Sequence, residues 1–452
     1  MKLKTISLQN YRLFSNLTCS LQSDLTVFVA SNGGGKTSIL DAIKVLFDTY
    51  LSVFPTSFGR GIKPADVRQV PIKDELGRME QVFPVRVAAS GEIEEGGGEY
   101  VWSRAVNTPK SGTTIKEAKD MAVYGKRLLA GAANREDRTN WPLLAYYGTG
   151  RLWSQKKLTS KKQFASGFHT RAAGYIDCME PASSYKLFLD WFHYAYNAHT
   201  QAKIRYMEAN PEASSLEVMS VSSAFTPLLN AVREAVDTVL VPSGWKSLWY
   251  SDTHGDAIAS HDQYGRLAVS QLSDGIRNTI ALVADIAFRS VQLNAHLGER
   301  AAIETQGIVL IDEVDMHLHP EWQQLILANL RKAFPKIQFI VTTHSPQVLT
   351  TVPSECIRIL KDGQIFAAPP GTEGAEPTRL LKQVFGLENV RPPGNRATKE
   401  LIEYLSLVEN DQWESPRAQE LRRILDARYQ GNEPGLDEAD LLIENRKWEL
   451  GE

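Results

Sequence analysis

The chain of 452 residues has few cysteines and no long apolar run. Its three cysteines, Cys19, Cys178 and Cys356, lie far apart and form no CxxC pair, which argues against a disulfide scaffold and favours a reducing compartment. No stretch approaches the roughly 20 apolar residues of a membrane span. The N-terminus also lacks the apolar core of a signal peptide. We therefore expect a cytoplasmic protein with no membrane partner.

An excess of either charge is also missing, since the net charge is −3 and the pI is about 6.4. This balance argues against a surface covered in basic residues, so any contact with nucleic acid must be a local patch. Sustained heptads are absent, which argues against a long coiled-coil arm. The share of hydrophobic residues, 43%, is ordinary for a soluble globular protein with a large core and a few elaborations.

The strongest local signal is the run ASNGGGKT, Ala30–Thr37, between a predicted strand and a predicted helix. Backbone N–H groups of a glycine-rich loop can converge on phosphates, and the helix that follows directs its positive dipole end at them. Lys36 is expected to reach the β- and γ-phosphates of ATP, and Thr37 to ligate Mg²⁺. Ala30 is a mild departure from the strict pattern, which has glycine there. The candidate ATP-binding residues of this loop are Ser31, Asn32, Gly33, Gly34, Gly35, Lys36, Thr37 and Ser38.

Two further candidates follow predicted buried strands. Asp312 and Glu313 come directly after the apolar run Gly307–Ile311. Asp312 is expected near the Mg²⁺, and Glu313 beside the attacking water as its general base or orienting group. His344 follows another apolar strand, where it could hydrogen-bond the γ-phosphate. Each feature taken alone has a plain alternative, either solvated acids or a histidine that caps a strand.

The segment LSDGIR, Leu272–Arg277, opens a long predicted helix ahead of the two acids. Alone, Ser-Asp-Gly could be a simple helix cap. The order of phosphate loop, this segment, acid strand and histidine resembles that of ABC ATPases, whose signature it matches with Asp274 in place of the usual glycine. The resemblance implies ATP hydrolysis with ATP and Mg²⁺ as cofactors, and a homodimer or higher even-numbered homo-oligomer. It also implies that Ser273, Asp274 and Gly275 bind the γ-phosphate of ATP held by the opposite subunit.

Within ABC ATPases, two phrases resemble the RecF, SMC and OLD-like branch: SLQNYR, which ends at Arg12, and DMHLHP, which begins at Asp315. The resemblance places Arg12 at the bound nucleotide and Asp315 at the dimer interface. The phrase YYGTGR, Tyr146–Arg151, points to the same branch. Gln155 is the candidate for the glutamine that helps to bind Mg²⁺ in ABC heads.

The predicted fold class is α/β, an ABC-type P-loop NTPase head with a mixed sheet and an antiparallel β subdomain. Four segments are expected: 1–183, the N-terminal part of the head with a β-rich insertion; 184–266, a helical insertion; 267–376, the C-terminal part of the head; and 377–452, a helical C-terminal tail that binds a partner.

Phrases of this tail, among them LENVRPP and TKELIEYLSL, resemble the C-terminal helices of PtuA, the ATPase family of Septu anti-phage systems and some retrons. A generic helical appendage is the plain alternative. The resemblance implies an ATPase that regulates a separate HNH nuclease similar to PtuB, with DNA, tRNA or retron DNA as candidate ligands. No nuclease site is recognised in the chain itself. A RecF-like repair ATPase that binds DNA directly stays open; the altered signature and the HLHP run argue against a transporter subunit.

Overall fold

A computed structural model describes residues 1–55, 61–72, 77–94, 96–132, 134, 137–151, 170–180 and 185–450. The chain divides into two compact units, Met1–Leu380 and Leu381–Glu452. Their boundary falls within a helix, Pro377–Gln383, whereas the sequence places it at the start of that helix. No helix in the described part of the chain is long and apolar enough to cross a membrane.

The first unit contains a six-stranded sheet in which the inner strands are parallel. Three of them are buried along their whole length, as expected where helices cover both faces of a parallel sheet. Because the strands are parallel, the segments that follow them meet at one edge of the sheet. From edge to edge the strands are β15 (Gln364–Ala367), β14 (Ile357–Lys361), β3 (Leu25–Ala30), β13 (Ile337–Thr343), β12 (Gly307–Ile311) and β8 (Leu143–Tyr147).

A four-stranded antiparallel sheet forms the predicted β subdomain. The run of three glycines, Gly96–Gly98, lies in the loop of a hairpin whose two strands pair from Val85 with Val106 to Glu92 with Glu99. One strand, Phe14–Ser20, was not predicted because only three of its side chains are buried. The strands run in the order β2 (Phe14–Ser20), β1 (Lys2–Tyr11), β6 (Val85–Glu92) and β7 (Glu99–Val106), and β4 (Gln69–Pro71) pairs separately with β5 (Met79–Gln81).

The helices of the first unit include the two that the motifs predict, one after the phosphate loop and one after the signature segment. The helix expected over Pro320–Phe334 is interrupted at Gln324 and Leu325, where the Leu325 N–H bonds the carbonyl of Trp322. The helices are α1 (Lys36–Leu51), α2 (Lys119–Gly131), α3 (Tyr185–Ala209), α4 (Ser215–Ser220), α5 (Thr226–Leu240), α6 (Asp274–Leu293), α7 (Ala301–Glu304), α8 (Pro320–Gln323), α9 (Ile326–Ala333) and α10 (Pro346–Leu349).

The insertion predicted to be helical over 184–266 is helical only as far as Leu240, apart from a short 3-10 turn that follows. The remainder forms a three-stranded antiparallel sheet, so this part of the prediction is wrong. Its strands are rich in Trp, Tyr and Ile, which favour a pleated surface, and Gly255 and Gly265 adopt the positive φ that tight turns require. The strands are β9 (Trp245–Ser251), β10 (Asp256–His261) and β11 (Gly265–Ala268).

The second unit is helical, as the sequence predicts for the tail. Asn395 and Ser415 cap two of its helices through their side-chain oxygens. Leu401, Leu421 and Leu425 are fully buried in a core between the helices. These helices are α12 (Arg396–Glu409), α13 (Pro416–Tyr429) and α14 (Pro434–Leu450), after α11 (Pro377–Gln383), which spans the boundary.

Candidate nucleotide-binding site

The glycine-rich loop connects β3 to α1 and has a backbone that only glycine adopts easily. Gly33 and Gly35 have φ values of 78° and 94°. A Cβ atom at Gly35 would lie 2.6 Å from the ring of Phe14, so no larger residue fits there. Gly35 caps α1 without a side-chain hydrogen bond to the helix. The backbone N–H groups at this helix start can therefore receive an anion.

Lys36 folds back across this loop. Its Nζ donates hydrogen bonds to the carbonyl oxygens of Ala30, at 3.0 Å, and Ser31, at 3.3 Å. Burial lowers the pKa of the Lys36 ammonium, while the neighbouring carboxylates, Asp312 first, oppose that shift. An ammonium bonded only to carbonyls of the loop can move its hydrogen bonds to a phosphate oxygen at little cost.

Thr37 and Asp312 meet although 275 positions separate them in the chain. The Thr37 Oγ1 donates to Asp312 Oδ2 at 2.7 Å, and the Thr342 Oγ1 donates to Asp312 Oδ1 at 2.6 Å. Asp312 is buried, and its backbone N–H bonds the carbonyl of Tyr147 at 2.8 Å. A hydroxyl and a carboxylate are oxygen ligands that Mg²⁺ accepts, so this pair fits the predicted metal position. Gln155, the third predicted ligand, lies outside the described residues.

The loop after β12 holds its acids through two threonines of β13. The Glu313 N–H donates to Thr342 Oγ1 at 2.8 Å, and the Thr343 Oγ1 donates to Asp315 Oδ1 at 2.5 Å. Glu313 has a φ of 51°, a left-handed backbone that a non-glycine residue seldom adopts away from functional sites. His344, the next residue after Thr343, is half-buried at the same edge of the sheet.

Sequence reasoning missed Thr342 and Thr343, although it quoted the strand that contains them. The feature that could have identified them is their position, because both are polar and fully buried at the end of a strand that is otherwise mostly apolar. Buried hydroxyls need hydrogen-bond partners, and here the partners are the acids of the neighbouring strand end.

Arg12, expected at the bound nucleotide, reaches the first turns of α1, where two acids that the sequence did not single out pair with it. Its guanidinium lies 2.8 Å from Asp41 and 2.8 Å from Asp66, and 3.5 Å from the Ser38 hydroxyl. The acids lie 29 and 54 positions along the chain from Arg12, so local sequence could not connect them. The side chain is placed beside the phosphate loop.

The signature segment is exposed at its serine and aspartate, as the phosphate loop is at Ser31, Asn32 and Gly33. Ser273 caps α6 without a side-chain hydrogen bond to the helix, and Ser273 and Asp274 are exposed. Asp274 forms an ion pair with Arg277 of the same helix. A Cβ atom at Gly275 would lie 2.6 Å from the carbonyl oxygen of His317. The start of α6 therefore packs directly on the loop that follows Glu313.

A buried hydrogen bond attaches α6 to β8, the strand beside β12. Asp285 Oδ2 accepts hydrogen bonds from Arg289 Nε and from the Tyr147 hydroxyl, both at 2.7 Å. Burial and then the Asp285 carboxylate raise the pKa of Tyr147 well above its ordinary value, so this hydroxyl stays protonated and donates. The Tyr147 carbonyl also accepts a hydrogen bond from the Asp312 N–H. Tyr147 therefore connects the signature helix to the end of the acid strand.

The phosphate loop after β3, the acids after β12, the threonines and histidine ending β13 and the serine-capped α6 together define the head of an ABC-type ATPase. Two family models described as AAA domains match the chain, over residues 5–204 and 249–350.

The chain is 30% identical to the Retron Ec83 probable ATPase of Escherichia coli, over 99% of this chain and 88% of that protein. It therefore belongs to this family of retron ATPases, and it is an ATPase. It is also 34% identical to the Septu protein PtuA of Bacillus mycoides, over 49% of this chain and 32% of that protein. Among solved structures, the SMC head domain from Thermotoga maritima is similar over 82% of this chain and 100% of that chain, with 15% identity and a TM-score of 0.41.

Proposed function

We propose that two copies of this ATPase associate head to tail, enclose two ATP molecules between them, and separate after hydrolysis. The observation that carries this proposal is the exposed start of α6. Ser273 and Asp274 lie in solvent at the N-terminus of a helix of 20 residues, where an anion is stabilised. A second copy can supply the phosphate that this helix start lacks in a single chain.

The phosphate loop, Ser31–Ser38, would bind the triphosphate of ATP in its own chain, with Arg12 beside it. Lys36 would replace its hydrogen bonds to two loop carbonyls with hydrogen bonds to phosphate oxygens. Thr37 and Asp312 would hold Mg²⁺ together with Gln155. When bound, the metal neutralises negative charge on the β- and γ-phosphates. The hydrogen bond between Thr37 and Asp312 supports this proposal because it already brings the two ligands together.

Glu313 would orient and deprotonate the attacking water, and His344 would contact the γ-phosphate. A general base of this kind contributes roughly 10²- to 10⁴-fold to the rate. The left-handed backbone of Glu313 and its N–H bond to Thr342 support the assignment, because they fix the backbone position from which the carboxylate side chain extends.

Ser273 and the backbone N–H groups near Gly275 would bind the γ-phosphate of the opposite subunit, with Asp274 beside them and Asp315 at the interface. ATP can favour the closed dimer only if it binds that state more tightly than the open one. A contact across the interface to the γ-phosphate provides this difference, because ADP has no such group.

The closed dimer would regulate a partner nuclease in anti-phage defence. Membership in the retron ATPases and the partial similarity to a Septu PtuA protein support this role. The partner would be a separate HNH nuclease held by the helical segment 377–452, in the cytoplasm, with DNA, tRNA or retron DNA as the signal. The separate helical unit over 381–452 supports a binding role distinct from the head.

Mixing two impaired variants tests the head-to-tail arrangement. Lys36→Ala removes the phosphate-loop half of the site, and Ser273→Arg blocks the signature half. In a mixed dimer one of the two sites combines both intact halves, so turnover should return to as much as about a quarter of the wild-type rate. The measurement is phosphate release from each variant alone and from the mixture.

A mixture as inactive as its components would contradict the proposal. A parallel titration with duplex DNA separates the two functions that the sequence leaves open. ATP-dependent DNA affinity that falls steeply with salt, in the absence of any partner, would replace nuclease control with direct DNA binding.

A further inference from the structure

The HLHP run, singled out in the sequence without a role, forms a turn between β12 and α8. His317 has a φ of 64°, Leu318 is buried, and Pro320 begins the short helix α8. The turn follows Glu313 directly. It therefore lies between three candidate parts of the site: the acids, the signature helix and His344.

Gln323, in the last position of α8, connects this turn to the histidine segment. Its Nε2 donates to the carbonyl oxygen of Leu318 at 2.9 Å, and its Oε1 accepts from the Ser345 hydroxyl at 2.6 Å. Ser345 follows His344 directly, and its Oγ also accepts the Val348 N–H at 3.2 Å. The side-chain amide of Gln323 thus donates one hydrogen bond and accepts another. In this way it joins two separate loops.

The opposite side of the same turn contacts the signature helix. Gly275 approaches the carbonyl oxygen of His317 so closely that a Cβ atom there would lie 2.6 Å from it. Asp315, in the same turn, accepts a hydrogen bond from the Thr343 hydroxyl. Since packed segments shift between discrete arrangements rather than deform continuously, a displacement of α6 must move this turn.

We infer that Gln323 is a positioning residue that transmits the position of the signature helix to His344 through the turn 315–318. Its role is to keep His344 and the acid loop in a fixed relative position when the γ-phosphate bound by the opposite subunit contacts Ser273. This inference rests on the proposed head-to-tail dimer for its trigger, but the bridge itself lies within one chain.

Gln323→Ala tests the inference, and Gln324→Ala is its matched control. Gln324 is the neighbouring residue and is exposed, and its side-chain Nε2 donates to the Oε1 of Gln347 at 2.7 Å. We expect Gln323→Ala to lower kcat for ATP hydrolysis about tenfold with an unchanged KM, because a displaced reacting group costs rate rather than affinity. Gln324→Ala should retain both constants.

Gln323→Glu separates the two bonds of the bridge. A carboxylate can still accept from Ser345, but it cannot donate to the Leu318 carbonyl, so kcat should fall as it does in the alanine variant. Gln323→Ala should still dimerise with ATP, since Ser273 and the phosphate loop are intact. Sedimentation with and without ATP measures this.

Equal kcat values for Gln323→Ala, Gln323→Glu and the Gln324→Ala control would overturn the inference. So would a rise in KM equal to the fall in kcat/KM, or a loss of ATP binding together with a lower unfolding temperature, because these indicate a purely structural residue. A wild-type chain that stays monomeric with ATP would instead refute the proposed dimer. The kcat comparison would still decide whether Gln323 positions the acid loop and His344.

Discussion

The two halves of the candidate ATP site differ in how completely one chain builds them. In the phosphate-loop half, Lys36, Thr37 and Asp312 are joined by hydrogen bonds within the chain, and Thr342 holds both Asp312 and the Glu313 backbone. In the signature half, Ser273 and Asp274 stand exposed at a helix start. One half is pre-organised, and the other presents its groups to solvent.

This difference indicates where each half finds its partners. Groups that must bind Mg²⁺ and phosphate in their own chain are held in place in advance, which reduces the reorganisation needed at reaction. In the signature half, Asp274 pairs with Arg277 of its own helix, and Ser273 makes no side-chain hydrogen bond to the helix that it caps. The helix that carries them packs on the rest of the head through the contact of Gly275 with His317 and the hydrogen bond of Tyr147 to Asp285.

The largest effect on turnover is expected from Glu313→Gln in the pre-organised half. Loss of the general base should lower kcat by roughly 10²- to 10⁴-fold while ATP binding persists, so ATP-bound dimers should accumulate. Phosphate release and sedimentation with ATP measure the two effects. Glu304→Gln, at a surface pair with Lys336, is the control. Turnover close to wild type would remove Glu313 from its assigned role.

Lys36→Ala should reduce ATP affinity and turnover together by about 100-fold, because the ammonium that bridges the loop carbonyls is lost. Titration with a fluorescent ATP analogue measures binding directly. Lys4→Ala, a surface lysine paired with Glu92, should leave both unchanged. Normal ATP binding by Lys36→Ala would mean that the triphosphate is bound by other residues of the chain and not by this loop.

Ser273→Arg should separate the two halves most clearly. The variant should bind ATP in its own phosphate loop with normal affinity, yet lose ATP-dependent dimerisation and about tenfold in turnover. The reason is that the proposed arrangement places Ser273 at the ATP of the opposite subunit and not at that of its own chain. Ser222→Arg, also at an exposed position, is the matched control. A loss of binding equal to the loss of turnover would show that the signature acts within one chain.

The smallest effect on turnover is expected from Leu421→Ala in the second unit. Removing this fully buried side chain should destabilise the unit by about 2–5 kcal/mol. ATP hydrolysis should be unchanged, because every candidate nucleotide residue lies in the first unit. Limited proteolysis over 381–452 and phosphate release measure the two properties. Leu441→Ala, at a position 60% exposed, should change neither; a drop in turnover with Leu421→Ala would couple the two units.

Much of the site could be predicted because its parts are local in the chain. The spacing of glycines before Lys36 and Thr37 specifies a loop between a strand and a helix, and the structure has that loop. The meeting of Thr37 and Asp312 was also predictable, because both follow parallel strands of one sheet.

The supporting contacts could not be predicted, because each joins residues far apart in the chain without a spacing rule. Asp66 beside Arg12, and Tyr147 beside Asp285, are of this kind. The three-stranded sheet over 245–268 was missed for another reason. Its strands are short, and aromatic residues there suit a packed helix as well as a strand.

By itself, the sequence determined the chemistry: which loop can receive a phosphate, which acids can serve a metal and a water, and which helix start is suited to an anion. These depend on residue type and local spacing, which folding does not alter. Only the tertiary structure decided which of these groups are already bonded to each other and which face solvent. That distinction depends on long-range packing, which brings together residues as far apart in the chain as Thr37 and Asp312.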